Sequence, residues 1–193
     1  MTSRSEYRLY HRQDNADIRL SHIGQRIGLV SETRYHKVIE KYEAVDREIK
    51  RLENTFIAPT PELAAMLESC GTTAPPSGVS LASLLRRPQL DYNSLTPFDQ
   101  KRPELPEAVI EQAEISIKYD GYIKRQTRQV EDLKRMEDVR LPEDIDYDSL
   151  HGLRIEARQK LGRIRPLSLG QASRISGVSP ADIAALMIHL GRS

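Results

Sequence analysis

At 193 residues, 30% charged and 38% hydrophobic with a mean hydropathy of −0.55, the chain fits one large or two small water-exposed domains. No run of about 18 apolar residues occurs, which argues against a membrane-spanning helix, and MTSRSEYRLYHRQD lacks the apolar stretch of a signal peptide. The single Cys70 excludes an internal disulfide and favours a reducing, cytoplasmic setting, while the net charge of +1 hides an acidic middle and a basic tail.

The first stretch, TSRSEYRLYHRQDNADIRL, is dense in arginine. Arg4, Arg8 and Arg12 recur every four residues, which on a helix places them on one face as a stripe for an anion. Like charges at that spacing repel, so either Glu6 and Asp14 compensate or an anionic ligand does. Asp14 or Asn15 is placed to cap a helix that carries Ile18, Ile23 and Ile27 inward and ends near Gly28. After Ser31, the residues Tyr35, Val38, Tyr42, Val45, Ile49 and Leu52 alternate at spacings of three and four. That pattern predicts an amphipathic helix of about 25 residues, roughly 38 Å long, too short for a coiled coil and better packed within a domain.

Thr60 and Pro61 start a short helix that Gly71 ends, and Ser80 opens another that Pro88 stops. The turn-rich DYNSLTPFDQKRPELP is the expected boundary, giving an N-terminal helical subdomain over 1–105 and a C-terminal one over 106–193. From Pro106 a second long helical pattern runs toward Met136, with Val109, Ala113, Tyr122, Ile123, Val130 and Leu133 inward. A rival reading lies inside it, because Ile115, Ile117 and Tyr119 alternate as a strand would, and Gly121 weakens a helix by about 1 kcal/mol. Helix is preferred. A connector, RLPEDIDYDSLHG, leads to a short helix in LRIEARQKLG and then to the tail RPLSLGQASRISGVSPADIAALMIHLG. There Ser168 and Ser179 sit as N-caps, Pro180 takes a first helical position, and Gly177 and Gly191 stand where left-handed residues close helices. The expected fold is all-α, with long amphipathic helices followed by a C-terminal helical bundle that ends in a helix–turn–helix hairpin.

Few chemical motifs are present. No glycine-rich nucleotide loop occurs, and the five histidines are scattered without metal-ligand spacing. Asp144, Asp146 and Asp148 begin like a calcium loop, but Ser149 replaces the tight-turn glycine and Ile155 the bidentate glutamate, so the stretch reads as a solvated turn. Cys70 has no nearby cation to activate it. The chain does not read as a complete enzyme. Residues 151–193 carry seven basic against two acidic side chains, which either meet phosphate or attract the acidic middle. The last helix, PADIAALMIHL, contains no Lys or Arg, so a DNA-reading role lacks the phosphate contacts on which such binding depends. Its Ile183, Leu186, Met187 and Leu190 read as core or as a protein interface. The positive charge lies earlier, at Arg154, Arg158, Lys160, Arg163, Arg165 and Arg174.

Four stretches in order, TSRSEYRLYHRQDNADIRL, KYDGYIKRQ, DYDSLHGLRIEARQKL and RPLSLGQASRISGVSPADI, resemble signature segments of the bacterial GidA/MnmG family. The resemblance runs from Thr2 to about Leu190 and is weakest from Thr55 to Pro106. It implies a flavoprotein that, with the GTPase MnmE, installs an aminomethyl or carboxymethylaminomethyl group on the wobble uridine of certain tRNAs. FAD, NADH, a folate one-carbon donor, and glycine or ammonium are the implied co-reactants. Only the family's C-terminal part is covered; the flavin fold and the cysteines of the chemistry lie upstream. The chain is therefore expected to be a non-catalytic part, without its own cofactor or metal, of a longer protein that forms a homodimer. The family implies tRNA contact and MnmE docking for this region. The candidates for tRNA are Arg4, Arg8 and Arg12, then Lys124, Arg125 and Arg128, then Arg158, Lys160 and Arg163, with Tyr119 and Tyr122 as stacking faces. The candidates for the partner are Glu156, Arg165 and Arg174 with Ile183, Leu186 and Met187. A pure protein-interaction module that docks the GTPase is the alternative, and a helix-turn-helix DNA binder is the weakest one.

Overall fold

A computed structural model describes residues 7–191, so Arg4 of the arginine stripe lies outside the described residues. The chain packs as two compact units, residues 1–124 and 125–193. Helices dominate both. The turn-rich stretch ending at 105 leads directly into a long helix, and the division between units falls inside that helix.

In the first unit two 3-10 turns, Arg8–Tyr10 and Gln13–Asn15, lead into α1 (Ala16–Arg26). There follow α2 (Glu32–Asn54), the short strand β1 (Phe56–Ile57), α3 (Pro61–Ser69), β2 (Val79–Ser80), α4 (Leu81–Leu85) and the start of α5 (Glu107–Asp138). The helix starts follow their caps. The hydroxyl oxygens of Ser31, Thr60 and Ser80 accept from the backbone N–H groups of Arg34, Leu63 and Ser83, and Pro61 opens α3. β1 and β2 pair antiparallel, Phe56 opposite Ser80 and Ile57 opposite Val79. At two residues each, they are too short to leave an alternating pattern in the sequence.

The main core of this unit gathers Leu52, Leu63, Leu67, Leu81, Leu84, Leu85, Leu90 and Ile117, and each such side chain contributes roughly 1.5–3 kcal/mol on burial. A satellite cluster joins Val45 to Val109 and Ala113. Val109, Ala113 and Ile117 are all buried at a spacing of four, and this periodicity settles the rivalry between helix and strand in favour of α5. Tyr122 falls off that stripe and is exposed, contrary to the expectation that it faces inward.

A buried polar pin crosses this core. Arg51 donates to Glu48 at 2.8 and 2.7 Å and to Asp99 at 2.9 and 2.6 Å, and the Tyr92 hydroxyl donates to Glu48 at 2.7 Å. Burial and the neighbouring Glu48 carboxylate push the Tyr92 phenol up to about 12. The pin fastens the C-terminal half of α2 to the loop between α4 and α5.

α1 ends beside Gly28 as expected but departs from expectation at its start and in the direction of its apolar face. It continues from a 3-10 turn without a side-chain cap, because the Asn15 oxygen accepts from Arg19 and the Asp14 carboxylate from Arg12. Ile23 and Ile27 point outward, and the residue of α1 that is buried is Ser21. The helix meets α2 through polar groups: Asp17 accepts from Lys41 at 2.8 Å and from the Tyr42 hydroxyl at 2.6 Å.

The second unit holds the rest of α5 with α6 (Ile155–Ile164), α7 (Leu169–Ser173) and α8 (Pro180–His189). Its core joins Leu141, Ile145, Tyr147, Leu150, Leu153, Ala157 and Leu161 to Leu169, Ile183 and Leu186. Ser168 and Ser179 cap α7 and α8 as expected. Asp182 is fully buried and closes the tail. It accepts from the Ser179 N–H and hydroxyl at 2.8 and 2.7 Å, from the Arg154 backbone N–H at 3.1 Å, and from the Arg154 guanidinium at 3.1 and 2.7 Å. Gly177, with φ 96°, makes the turn between α7 and α8, where a Cβ would lie 2.3 Å from the Lys160 amine and 2.4 Å from the Glu156 carboxylate.

Two stability measurements follow from these pins. Arg51→Met leaves Glu48 and Asp99 as buried carboxylates without their shared cation, and urea denaturation should report a loss of about 3–5 kcal/mol. Hydrogen bonds from Arg154 hold the Asp182 carboxyl well below the usual carboxylate range, against the opposing effect of its burial. A depressed folded-state value means the stabilisation is full above about pH 4 and is lost as pH falls from there toward the folded value. The stability gap between the natural chain and Asp182→Asn should therefore be widest near neutrality and shrink below about pH 4 in an acid-unfolding series.

Candidate functional site

Among the described residues of the arginine-rich leading segment, Arg8 and Arg12 do not share a helical face. Arg8 sits exposed in a 3-10 turn, and Arg12 lies in extended backbone at φ −76° and ψ 154°. The chain turns at Tyr7, which adopts a left-handed φ of 56°. Repulsion between arginines four residues apart, with no capped helix to offset it, disfavours the helix that the spacing alone suggested.

The turns still bring cations together. Arg8, His11, Arg12, Arg19 and Tyr119 line an open basin of about 580 Å³ in the first unit. Arg12 forms its wall. The Arg12 guanidinium donates to the Asp14 carboxylate at 2.9 Å and to the Leu9 carbonyl at 2.9 Å, and lies 5.0 Å from the centre of the Tyr119 ring. Its charge lowers the Asp14 carboxyl, chiefly through that hydrogen bond. Arg19 donates to the Asn15 side-chain oxygen at 2.9 Å and approaches His11 Nδ1 at 3.4 Å. Arg19 also lines the basin. Tyr119 is about two-fifths exposed, and Tyr122 stands beside it with ring centres 6.2 Å apart.

Sequence reasoning missed Arg19 and His11 as site residues. The i, i+4 relation of Asn15 and Arg19 was visible, but the placement of His11 depends on the 3-10 turns, which leave no periodic signal. Of the expected cations along α5, Lys124 is exposed and paired with Asp120 at 2.9 Å, while Arg125 and Arg128 are exposed residues of the second unit.

The second unit sorts the remaining candidates by their engagement. Arg158 is half-buried and donates to the Leu150 carbonyl at 2.9 Å. Lys160 pairs with Glu156 at 2.7 Å and also donates to the Ser176 carbonyl. Arg165 adopts a left-handed φ of 46° and donates to the Glu143 carbonyl at 2.6 Å, and Arg174 pairs with Glu137. These cations hold the tail together. Arg163 is exposed.

Ile183 and Leu186, expected at a partner surface, are core residues at 7% and 0% exposure, and Met187 packs against them. They face inward because the Asp182 clamp fixes the rotation of α8. The outward face of that helix is Ala181, Ala184 and Ile188, the last 73% exposed. Among the described residues no cluster suits a metal ion, and no helix is long and apolar enough to cross a membrane.

Comparison with known proteins places these features. Residues 32–127 match a sequence model of the tRNA modifying enzyme MnmG/GidA C-terminal helical domain. Residues 129–193 match one of the MnmG/GidA C-terminal helical bundle. The tRNA uridine 5-carboxymethylaminomethyl modification enzyme MnmG of Lachnoclostridium phytofermentans is 56% identical over 190 residues, covering 98% of this chain and 30% of that protein. The enzyme of the same name from Caldicellulosiruptor saccharolyticus is 53% identical with the same coverage. The form II crystal structure of Aquifex aeolicus GidA superposes with a TM-score of 0.57 at 37% identity, covering 98% of this chain and 29% of that one. The chain thus spans about three-tenths of the length of the curated relatives it matches. With both helical models matched in order and in register with the two packed units, the chain belongs to the MnmG/GidA family of tRNA-modifying enzymes, as its C-terminal helical region.

Proposed function

We propose that this region holds tRNA and docks the GTPase MnmE for a dimeric, cytoplasmic enzyme that uses FAD and NADH to modify the wobble uridine. In this reading the chemistry lies in the upstream part and the region itself is non-catalytic. The observation that carries the reading is the basin. It places the exposed Arg8, the partly committed Arg19 and a tyrosine face within one opening, which is the pairing of phosphate contact and stacking surface that single-stranded RNA needs. Arg12 serves it as a positioning residue, since each of its three nitrogens already donates to Asp14 or to the Leu9 carbonyl. Arg4 belongs to the same reading by sequence alone, and Arg125, Arg128 and Arg163 extend it as exposed cations.

For the partner, the exposed face of α8, Ala181, Ala184 and Ile188, supports the reading, and Glu156, Arg165 and Arg174 belong to it by sequence. A DNA-reading role finds no support, because this face presents no Lys or Arg and α7 is a helix of only five residues.

The tRNA reading is tested by measuring affinity across a salt series for the natural chain and for Arg8→Ala with Arg19→Ala. The double variant should bind more weakly and lower the slope of log affinity against log salt by about 1 for each phosphate it no longer neutralises. An unchanged slope would place the RNA elsewhere. For the partner, Ile188→Asp should reduce capture of MnmE several-fold without lowering the melting temperature, because Ile188 is not part of the core. Undiminished capture would remove α8 from the docking surface.

A further inference from the structure

α1 is built the wrong way round for a helix at the edge of a finished domain. Its apolar residues Leu20, Ile23 and Ile27 recur at spacings of three and four, and they are 53%, 38% and 60% exposed. Leu29 in the following turn is 81% exposed. The face turned toward α2 is the polar one, with Asp17 held by Lys41 and Tyr42 and with Ser21 buried. An amphipathic helix normally buries the stripe and solvates the opposite face, and a contiguous exposed apolar patch marks an interaction surface.

This exposure is fixed by the local structure. The turn after α1 folds back on Gly24, whose carbonyl accepts from the Leu29 and Val30 N–H groups at 2.8 and 3.1 Å. A Cβ at Gly24 would lie 2.6 Å from the Val30 side chain, so the turn closes tightly on the helix. Rotating α1 to bury its stripe would break the Asp17 bonds to Lys41 and Tyr42. The patch is therefore a stable surface in need of a cover.

The comparisons indicate what covers it. Both matched family models are C-terminal helical units, and the first begins at residue 32, the first residue of α2. The segment before it, α1 included, is nevertheless shared with relatives that align over 98% of this chain. About seven-tenths of each relative lies outside the aligned region, and the C-terminal nature of both models puts that part before α1. We infer that the outward stripe of α1 is the seam on which the upstream part of the family's polypeptide packs. α1 and the basin segment beside it then belong to the junction of that part with the helical units. The seam positions the basin against the upstream part. It stands independently of whether the basin binds tRNA.

Hydroxyl-radical footprinting, read by mass spectrometry, tests this on two proteins as they exist: the 193-residue chain and the full-length Lachnoclostridium phytofermentans relative. Oxidation of the α1 peptide should be several-fold lower in the relative than in this chain, while peptides of α8 should oxidise alike in both. Equal oxidation of α1 in the two proteins would overturn the inference. A second arm changes Leu20, Ile23 and Ile27 together to Ser in this chain and at the aligned positions of the relative. The melting temperature of this chain should hold, and that of the relative should fall. If light scattering finds this chain dimeric and the triple variant monomeric, the face is an interface between copies and the inference is wrong.

Discussion

Asp14 is the anchor on which the leading part of the chain depends. Its carboxylate accepts from Arg12 at 2.9 Å and from the Gln112 amide at 3.3 Å, and its carbonyl accepts from the Tyr42 hydroxyl at 3.1 Å. One residue thereby ties an irregular, arginine-rich segment to α2 and to α5. Arg12 is drawn over the Tyr119 ring by the same bonds, and this gives the basin its wall. Charge-assisted bonds of this kind contribute more than neutral ones, and here several share a partly buried site where water screens them less.

The same logic separates two kinds of cation in this protein. Arg12, Arg51 and Arg154 each neutralise a carboxylate that the fold has buried or half-buried, at Asp14, Glu48 with Asp99, and Asp182. They are fixed in place and shape their surroundings. Arg8 and Arg163 are exposed, and Arg19 is held through Asn15. Cations of this second kind can exchange water and counterions for phosphate at modest cost, and counterion release is what makes RNA binding favourable. In the tail of the second unit Arg154 belongs to the first kind, while Arg158, Lys160 and Arg165 are engaged by backbone carbonyls or a surface carboxylate. The basic tail is basic largely because its turns and helix ends are closed by Arg154, Arg158, Lys160 and Arg165.

Much of the fold was legible because its rules are local. Thr60, Ser80, Ser168 and Ser179 cap the helices they precede, and the spacing from Tyr35 to Leu52 gives α2. The all-α class followed from these signals. The illegible parts depend on partners distant in sequence. Ile23 and Ile27 carry an apolar pattern that a reader turns inward, but Lys41 and Tyr42 hold the polar face of α1 instead. Arg4, Arg8 and Arg12 have helical spacing, yet Asp14 captures Arg12 before a helix starts. Ile183 and Leu186 are apolar in either role, core or interface, and the rotation set by Asp182 decides for core. Of the site, the arginines and Tyr119 could be named from sequence, whereas their assembly with His11 and Arg19 required the fold.

The central proposal is that the basin of the first unit is the main contact with RNA, with exposed cations such as Arg163 secondary to it. Ultraviolet crosslinking of tRNA to this chain, with the attached peptides identified by mass spectrometry, tests it most directly. The account predicts crosslinks on the peptides that carry His11 and Tyr119, the groups with exposed rings at the basin. Crosslinks confined to residues 151–193, with none at Tyr119, would contradict it.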